Sequence, residues 1–392
     1  MKKFILSKTP FIRSVDNQSL STTRMMTDVI IALVPIVMFG FVINGLIPFI
    51  NGELNSLYFL FKPIINVLTG AFCSLLFEFL YLLCFKKNTN FKKLVLDTFY
   101  SFGVISGVLI SLLLPVRIPL YVIIFGCLIG NVLFKMLFGG LGHNIFNPAL
   151  IGYVFCYAAF GKQIAYANAE QVIILSNTLN LTATATPLAD LLNQIRTLKS
   201  FNLSYHNVVL QFGSFINLFL GFKGGSLGEV SGILCLLGFI YLLIRKVINW
   251  RVPVIYVSTV FIITLIVAIF NQIEGPLFGL WFPLYNILTG GLLFSAVFIA
   301  TEPVTTPKTP NGKVIYAIAL GVMTVFLRFI ACSEGCATAI LFICLFTPII
   351  DRFASRNRGP IVTPKIVFNY VILTLVFIAF VAYIVYGTMN MK

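Results

Sequence analysis

Apolar stretches near the length that crosses a bilayer, about twenty residues, recur near positions 25–44, 63–85, 97–114, 118–138, 147–161, 229–245, 253–271, 282–300, 314–331, 336–350 and 367–387. They predict an all-α fold: a polytopic integral membrane helical bundle of about 10–11 transmembrane helices, since a segment in lipid must satisfy its own backbone polar groups. One long polar interval, 162–228, interrupts the series. The chain then divides into a tail (1–24), a first membrane bundle (25–161), a loop (162–228), a second bundle (229–351), and a basic loop with an extra C-terminal transmembrane segment (352–392). The run Asn66-Val67-Leu68-Thr69-Gly70 is echoed by Asn286-Ile287-Leu288-Thr289-Gly290, which points to a possible inverted repeat.

Composition changes this picture only by excluding alternatives. With 59% apolar and 10% charged residues the chain cannot cover a soluble surface. A net charge of +15 could suggest nucleic acid, but the basic residues fall in short clusters between apolar runs, among them Lys2, Lys3, Lys86, Lys87, Lys92, Lys93, Lys135, Arg245, Lys246, Arg352 and Arg356. That is the distribution of cytoplasmic loops, so nucleic acid is excluded as a partner. It predicts a multi-pass protein of the cell membrane, in contact with lipid, with a cytoplasmic N-terminus and residues 162–228 on the outer face. The apolar start is too short for a signal peptide. The cysteines, scattered in apolar segments, read as small core residues; no metal site is expected.

Candidate chemistry is concentrated at few positions. The outer interval contains Leu181-Thr182-Ala183-Thr184-Ala185-Thr186-Pro187-Leu188, where small hydroxyls are within reach of a modifying enzyme. Glu78 lies well inside an apolar run, where a carboxylate costs a few kcal/mol unless it is paired, protonated or bound to a cation. Asp28, near the cytoplasmic end of the first run, reads as a cap or a partner of Arg24. Glycine-rich stretches precede two helices, Phe138 to Gly152 and Gly224-Gly225-Ser226-Leu227-Gly228-Glu229; such an entry can hold a phosphate. No nicotinamide fingerprint and no iron–sulfur cysteine spacing occurs, so the chain needs partners for either chemistry.

Taken together, Phe138 to Gly152, Gly225 to Val230, Ala300-Thr301-Glu302-Pro303-Val304, Ser333-Glu334-Gly335 and Thr347-Pro348-Ile349-Ile350-Asp351 resemble one family. It comprises the D subunit of the Rnf ferredoxin:NAD+ oxidoreductase complex and the B subunit of the sodium-pumping NADH:quinone reductase. The resemblance covers about residues 5–352 and is nearer the Rnf version, because the chain starts directly with Leu6-Ser7-Lys8-Thr9-Pro10. It implies electron transfer between ferredoxin and NAD+ coupled to translocation of Na+ or H+. It also implies covalent FMN, a phosphoester on Thr186; here Ala183-Thr184-Ala185-Thr186 carries Ala183 where the family has serine. Non-covalent riboflavin within the bundle is a further implied cofactor. Implied partners are a flavin transferase and the other Rnf subunits: membrane and iron–sulfur subunits and a flavinylated G-type subunit. Glu78, Glu302 and Asp351 match acidic positions of the family and become candidates for an ion path. A flavin-free secondary transporter is the competing reading from another class; it gives the threonine-rich run no role.

Overall fold

A computed structural model describes residues 22–85, 90–179, 186–198, 203, 205–212, 214–229, 231–273, 275–331, 334–356 and 364–390. Leu181 to Ala185 of the threonine-rich run, singled out from the sequence, lie outside the described residues. Among the described residues there is no strand. Helix α1 (Thr22–Phe41) continues through a π turn (Val42–Leu46) to Ile50, and α2 (Leu57–Phe85) follows. Next come α3 (Phe91–Tyr100), α4 (Gly103–Leu113), α5 (Leu120–Cys127, extended as a π stretch to Met136) and α6 (Pro148–Leu179). The second half has α7 (Pro187–Leu198), α8 (Gly232–Ile244), α9 (Arg251–Phe270), α10 (Trp281–Leu288), α11 (Leu292–Phe294, extended to Ile299), α12 (Pro310–Phe329), α13 (Cys336–Arg356) and α14 (Pro364–Met389).

Among the described residues six helices are long and apolar enough to cross a membrane, eight if each bent pair counts as one span, and Leu120–Met136 and Gly232–Ile244 are shorter apolar helices. Large apolar side chains such as Ile31, Met38, Phe72, Val371 and Leu375 face outward, as they must where the surrounding medium is lipid. The protein is therefore a polytopic helical membrane bundle. Two expected spans are not single rods. The run 97–114 breaks by 47° at Phe102, which is left-handed (φ 54), and 282–300 breaks by 63° at Gly290 and Gly291 (φ 67 and 62). Consequently the echoed segments differ: Asn66–Gly70 lies within continuous α2, whereas Asn286–Gly290 runs into the break.

Close approach between helices depends on small residues. α2 and α4 touch at Gly70 and Gly107, where a Cβ on Gly107 would stand 2.1 Å from the Gly70 carbonyl oxygen. The expected span 147–161 is the first half of α6, which bends at Phe160 (φ −126, ψ 30) and stays helical to Leu179. Beyond the bend, Ile164, Ala167, Gln171, Val172 and Leu175 form a buried stripe at helical spacing. Gln171 there donates to Asn44 Oδ1 (2.8 Å) and the Gly225 carbonyl (2.6 Å) and accepts from Val116 N (3.0 Å). The interval expected as a polar loop is thus largely helical and anchored.

Two polar residues have partners other than those expected. Asp28 pairs with Arg245 on α8 (3.0 Å) and accepts from Tyr241 (3.1 Å), closing α1 on α8. Lys135, grouped with the loop cations, is 2% exposed and turned inward to Glu78. The C-terminal helix α14 packs on α12 through Phe326 against Phe380 (centroids 5.2 Å) and Tyr383 (6.3 Å). Hydrogen bonds Asn311–Tyr370 (3.3 Å) and Asn271–Thr388 (3.1 Å) hold its two ends.

Candidate functional site at the Thr186 cavity

Thr186 stands at the N-cap of α7: its carbonyl accepts from Asp190 N (2.9 Å), and Pro187 occupies the first helical position, where no N–H is needed. Leu188, Leu191, Leu192 and Ile195, one face of α7, are buried at 6% exposure or less. That stripe docks the turn on the break between α10 and α11. Tyr285 of α10 donates to the Pro187 carbonyl (2.7 Å), and Leu188 fills the space a side chain at Gly290 would need, since a Cβ there would lie 2.1 Å from its Cδ2. Asp190 is bound by Gln194 (2.7 Å) and Gln211, yet burial pushes its carboxyl above the usual range, against those two donors.

Thr186 opens on a cavity of about 240 Å³. It is lined by the loop Lys223-Gly224-Gly225-Ser226, Arg196 of α7, Tyr153, Tyr157, Glu229 and Glu334, and Glu229 lies against the loop, since a Cβ on Gly225 would stand 3.3 Å from its carboxylate. Tyr153 donates to Glu334 (3.1 Å). Lys223 is 3% exposed and donates to the Leu288 carbonyl at the end of α10; burial lowers its pKa to about 8, partly opposed by Glu229. Ser226 Oγ is buried beside Glu229 with no hydrogen-bond partner within bonding geometry among the described residues. Behind Gly290 lies Arg328, fully buried, donating to the carbonyls of Asn286 (2.6 Å), Thr289 (3.3 Å), Gly290 (3.4 Å) and Glu334 (3.2 Å).

These residues fit a phosphorylated ligand. A hydroxyl at a helix N-terminus, two cations, a glycine-lined wall and an unsatisfied serine hydroxyl suit a phosphate, and two tyrosines suit a planar apolar group.

The other acids selected from the sequence lie at the opposite end of the bundle. Glu78, 0% exposed, is bonded to Lys135 at 2.6 Å, and Lys135 also donates to the Ser101 carbonyl (2.6 Å) at the break between α3 and α4. The second carboxylate oxygen of Glu78 and Nδ2 of Asn131 have no hydrogen-bond partner. Lys135 and Glu302 share the wall of a small cavity of about 80 Å³. Glu302 accepts from Thr305 (3.1 Å), and burial raises its pKa to about 7, offset in part by Thr305 and Lys135. Glu78 and Glu302 are thus brought together around one lysine. Asp351 is apart from them: its carboxylate accepts from Lys308 N (2.9 Å), Thr309 N (3.1 Å) and Thr309 Oγ1 (2.9 Å), bracing the start of α12.

Among the site residues that the sequence does not single out are three buried cations, Lys135, Lys223 and Arg328. Arg328 has the same signal as Glu78, a charge inside an apolar run; Lys223 and Lys135 are absorbed into loop charge counts because the break and the π stretch that bury them leave no compositional trace.

A polytopic helical membrane protein with a phosphate-suited cavity under an ordered extramembrane helix is the class that fold and site define. The chain belongs to the NQR2, RnfD, RnfE family, whose model matches residues 5–359. It is 31% identical over 355 residues to the D subunit of the proton-translocating ferredoxin:NAD(+) oxidoreductase complex of Clostridium ljungdahlii, covering 89% of this chain and 94% of that one. It is 31% identical over 257 residues to the D subunit of the Na(+)-translocating ferredoxin:NAD(+) oxidoreductase complex of Acetobacterium woodii, covering 65% and 71% of the two chains. To the B subunit of the Na(+)-translocating NADH-quinone reductase of Chromohalobacter salexigens it is 33% identical over 253 residues, 64% of this chain and 57% of that one.

Proposed function

We propose that the chain is the D-type membrane subunit of an ion-translocating ferredoxin:NAD+ oxidoreductase complex and carries FMN as a phosphoester on Thr186. The observation that carries the reading is Thr186 itself: the hydroxyl the family resemblance points to is at a helix N-cap and lines a cavity with Lys223, Arg196 and a glycine wall. The D-type reading over a B-type one is supported by coverage, 94% of a D subunit against 57% of a B subunit.

Bound there, FMN would supply one- and two-electron redox chemistry. The protein's part is to hold it. Thr186 provides the ester oxygen, Arg196 and Lys223 offset phosphate charge, the N-terminus of α7 adds its partial positive charge, and Tyr153 and Tyr157 bound the space for the ring. Ferredoxin and nicotinamide are handled by other subunits, which include iron–sulfur and G-type members, and a flavin transferase installs the ester. The coupling ion is Na+ or H+; relatives named for each occur. Its path includes Glu78, buried and paired with Lys135, and the half-buried Glu302, which lines the same small cavity as Lys135. In the cell membrane, the positive-inside pattern puts Thr186 on the outer face and the N-terminus in the cytoplasm.

The test is in-gel flavin fluorescence of the denatured chain after co-expression with a flavin transferase. Thr186→Ala should abolish the signal, while Thr184→Ala keeps it. Flavin retained in the Thr186 variant, or none in the wild type, refutes the assignment.

A further inference from the structure

Arg328 is a fully buried guanidinium, and none of the ion pairs among the described residues involves it. Its N–H groups go to four backbone carbonyls and to Cys336 Sγ (3.4 Å). Three of those carbonyls, Asn286, Thr289 and Gly290, belong to the end of α10 and the break that follows, where the helix dipole leaves about half a negative charge. The guanidinium is therefore only partly compensated. Closing a helix break needs hydrogen-bond donors but no net charge, and a buried uncompensated cation is costly.

Two of the residues it binds, Gly290 and Glu334, line the Thr186 cavity. With no side chain, Gly290 leaves only one residue's backbone between the guanidinium and the cavity, and a Cβ there would lie 3.0 Å from Arg328 Nη2. We propose that Arg328 is the fixed countercharge of this cavity, stabilising the negative charge that a group held there gains when it accepts an electron. The inference rests on the reading of a flavin on Thr186. One electron from an external reductant adds one negative charge to the bound flavin; no proton need move, because arginine stays charged throughout. Lys223 is a second cation facing the cavity, but burial lowers its pKa, whereas arginine keeps its charge. Arg196, Glu229, Glu334, Tyr153 and Tyr157 are the remaining ionisable groups on the walls. Arg328 is a positioning and electrostatic residue; nothing places it in contact with the reacting ring.

The experiment is an anaerobic dithionite titration, with mediators, of the full-length flavinylated chain in detergent, reading the flavin midpoint potential at fixed pH. Arg328→Gln, neutral but still a donor, should shift the potential to more negative values, and Arg328→Lys should hold it near wild type. A role confined to clamping the break would instead make the two variants alike. Because Arg328→Gln can fail to fold, Cys336→Asp is the second variant: it retains Arg328, sets a carboxylate where Nη2 now meets sulfur, and should shift the potential the same way, while Cys336→Ser should not. An unmoved potential in flavinylated Cys336→Asp overturns the proposal. Gel fluorescence separates the two levels: flavin present with an unmoved potential refutes only the countercharge, whereas no flavin on the wild-type chain refutes the cofactor reading and this proposal with it.

Discussion

Replacing the buried pair one partner at a time and then together gives a direct measure of what Glu78 and Lys135 do for each other. Both side chains are at 3% exposure or less and 2.6 Å apart, so solvent screening that makes surface pairs nearly worthless does not apply. Removing one partner from such a pair costs about 3–5 kcal/mol, because the other charge is left buried, while replacing both by neutral groups of similar shape is close to neutral. Glu78→Gln leaves Lys135 with the Ser101 carbonyl alone. Lys135→Met strands the carboxylate, since its second oxygen already has no hydrogen-bond partner. The lower end, about 3 kcal/mol, is the expectation for each single variant. The two single losses sum to about 6 kcal/mol, and the double variant should recover more than about 3 kcal/mol of that sum. At roughly 2–4 °C per kcal/mol the single variants melt about 6–12 °C lower, and the double variant lies between them and wild type. A thiol-reactive dye can follow melting in detergent, because Cys73, Cys127, Cys156, Cys235, Cys336 and Cys344 are buried in the folded chain. Strictly additive losses in the double variant would refute the pairing. If the double variant is stable, assembles and still pumps with unchanged ion dependence, Glu78 is a structural partner only and leaves the proposed ion path.

Two further outcomes follow from the same end of the bundle. Burial raises the Glu302 pKa to about 7, so the folded state holds a proton that the unfolded chain releases near the ordinary value of 4.5; stability is greatest below about pH 4.5 and falls as pH rises through 7. Glu302→Gln should remove that part of the slope in melting temperature between those limits, and an unchanged slope would show that Glu302 does not titrate there. Asp351 is bound by two backbone N–H groups and a threonine hydroxyl, so Asp351→Ala should destabilise the start of α12 by about 1–3 kcal/mol, seen as lower melting and assembly, while turnover per assembled complex keeps its ion dependence; a changed ion affinity would restore Asp351 to the path.

Hydropathy was sufficient for the helical class because lipid leaves the backbone few choices, and the positions of the apolar runs survive in the structure with only local changes. What it could not convey is where a run ceases to be one rod. The 97–114 run breaks at Phe102, a residue with no preference for φ above zero, so the break comes from packing: α4 must start where it can meet α2 at Gly70, and Ser101 must turn its carbonyl toward Lys135. The glycines at 290 and 291 were visible, but an echo of Asn66-Val67-Leu68-Thr69-Gly70 concealed their role, because one glycine in a helix and two left-handed ones read almost alike in sequence.

The Thr186 site shows the same division. The threonine was legible as a motif, but the run around it read as part of a polar loop, and the helix that starts at Pro187 was not foreseen. The groups that make a site of it come from sequence-distant elements: Tyr285 and Gly290 of a broken helix, Lys223 of a glycine loop, and Arg328 from behind. A common physical reason joins them. A helix broken inside a membrane exposes carbonyls that water cannot reach, and those carbonyls must be met by buried donors. Lys223 and Arg328 meet them, and in doing so two positive charges are carried to the wall where α7 docks. At the other break Ser101 draws in Lys135, and with it comes Glu78. In both halves of the chain, then, the buried polar groups are gathered where a helix is interrupted, which is why a charge inside an apolar run, followed within the fold to the nearest break, leads to the candidate sites better than the loops that carry most of the charge.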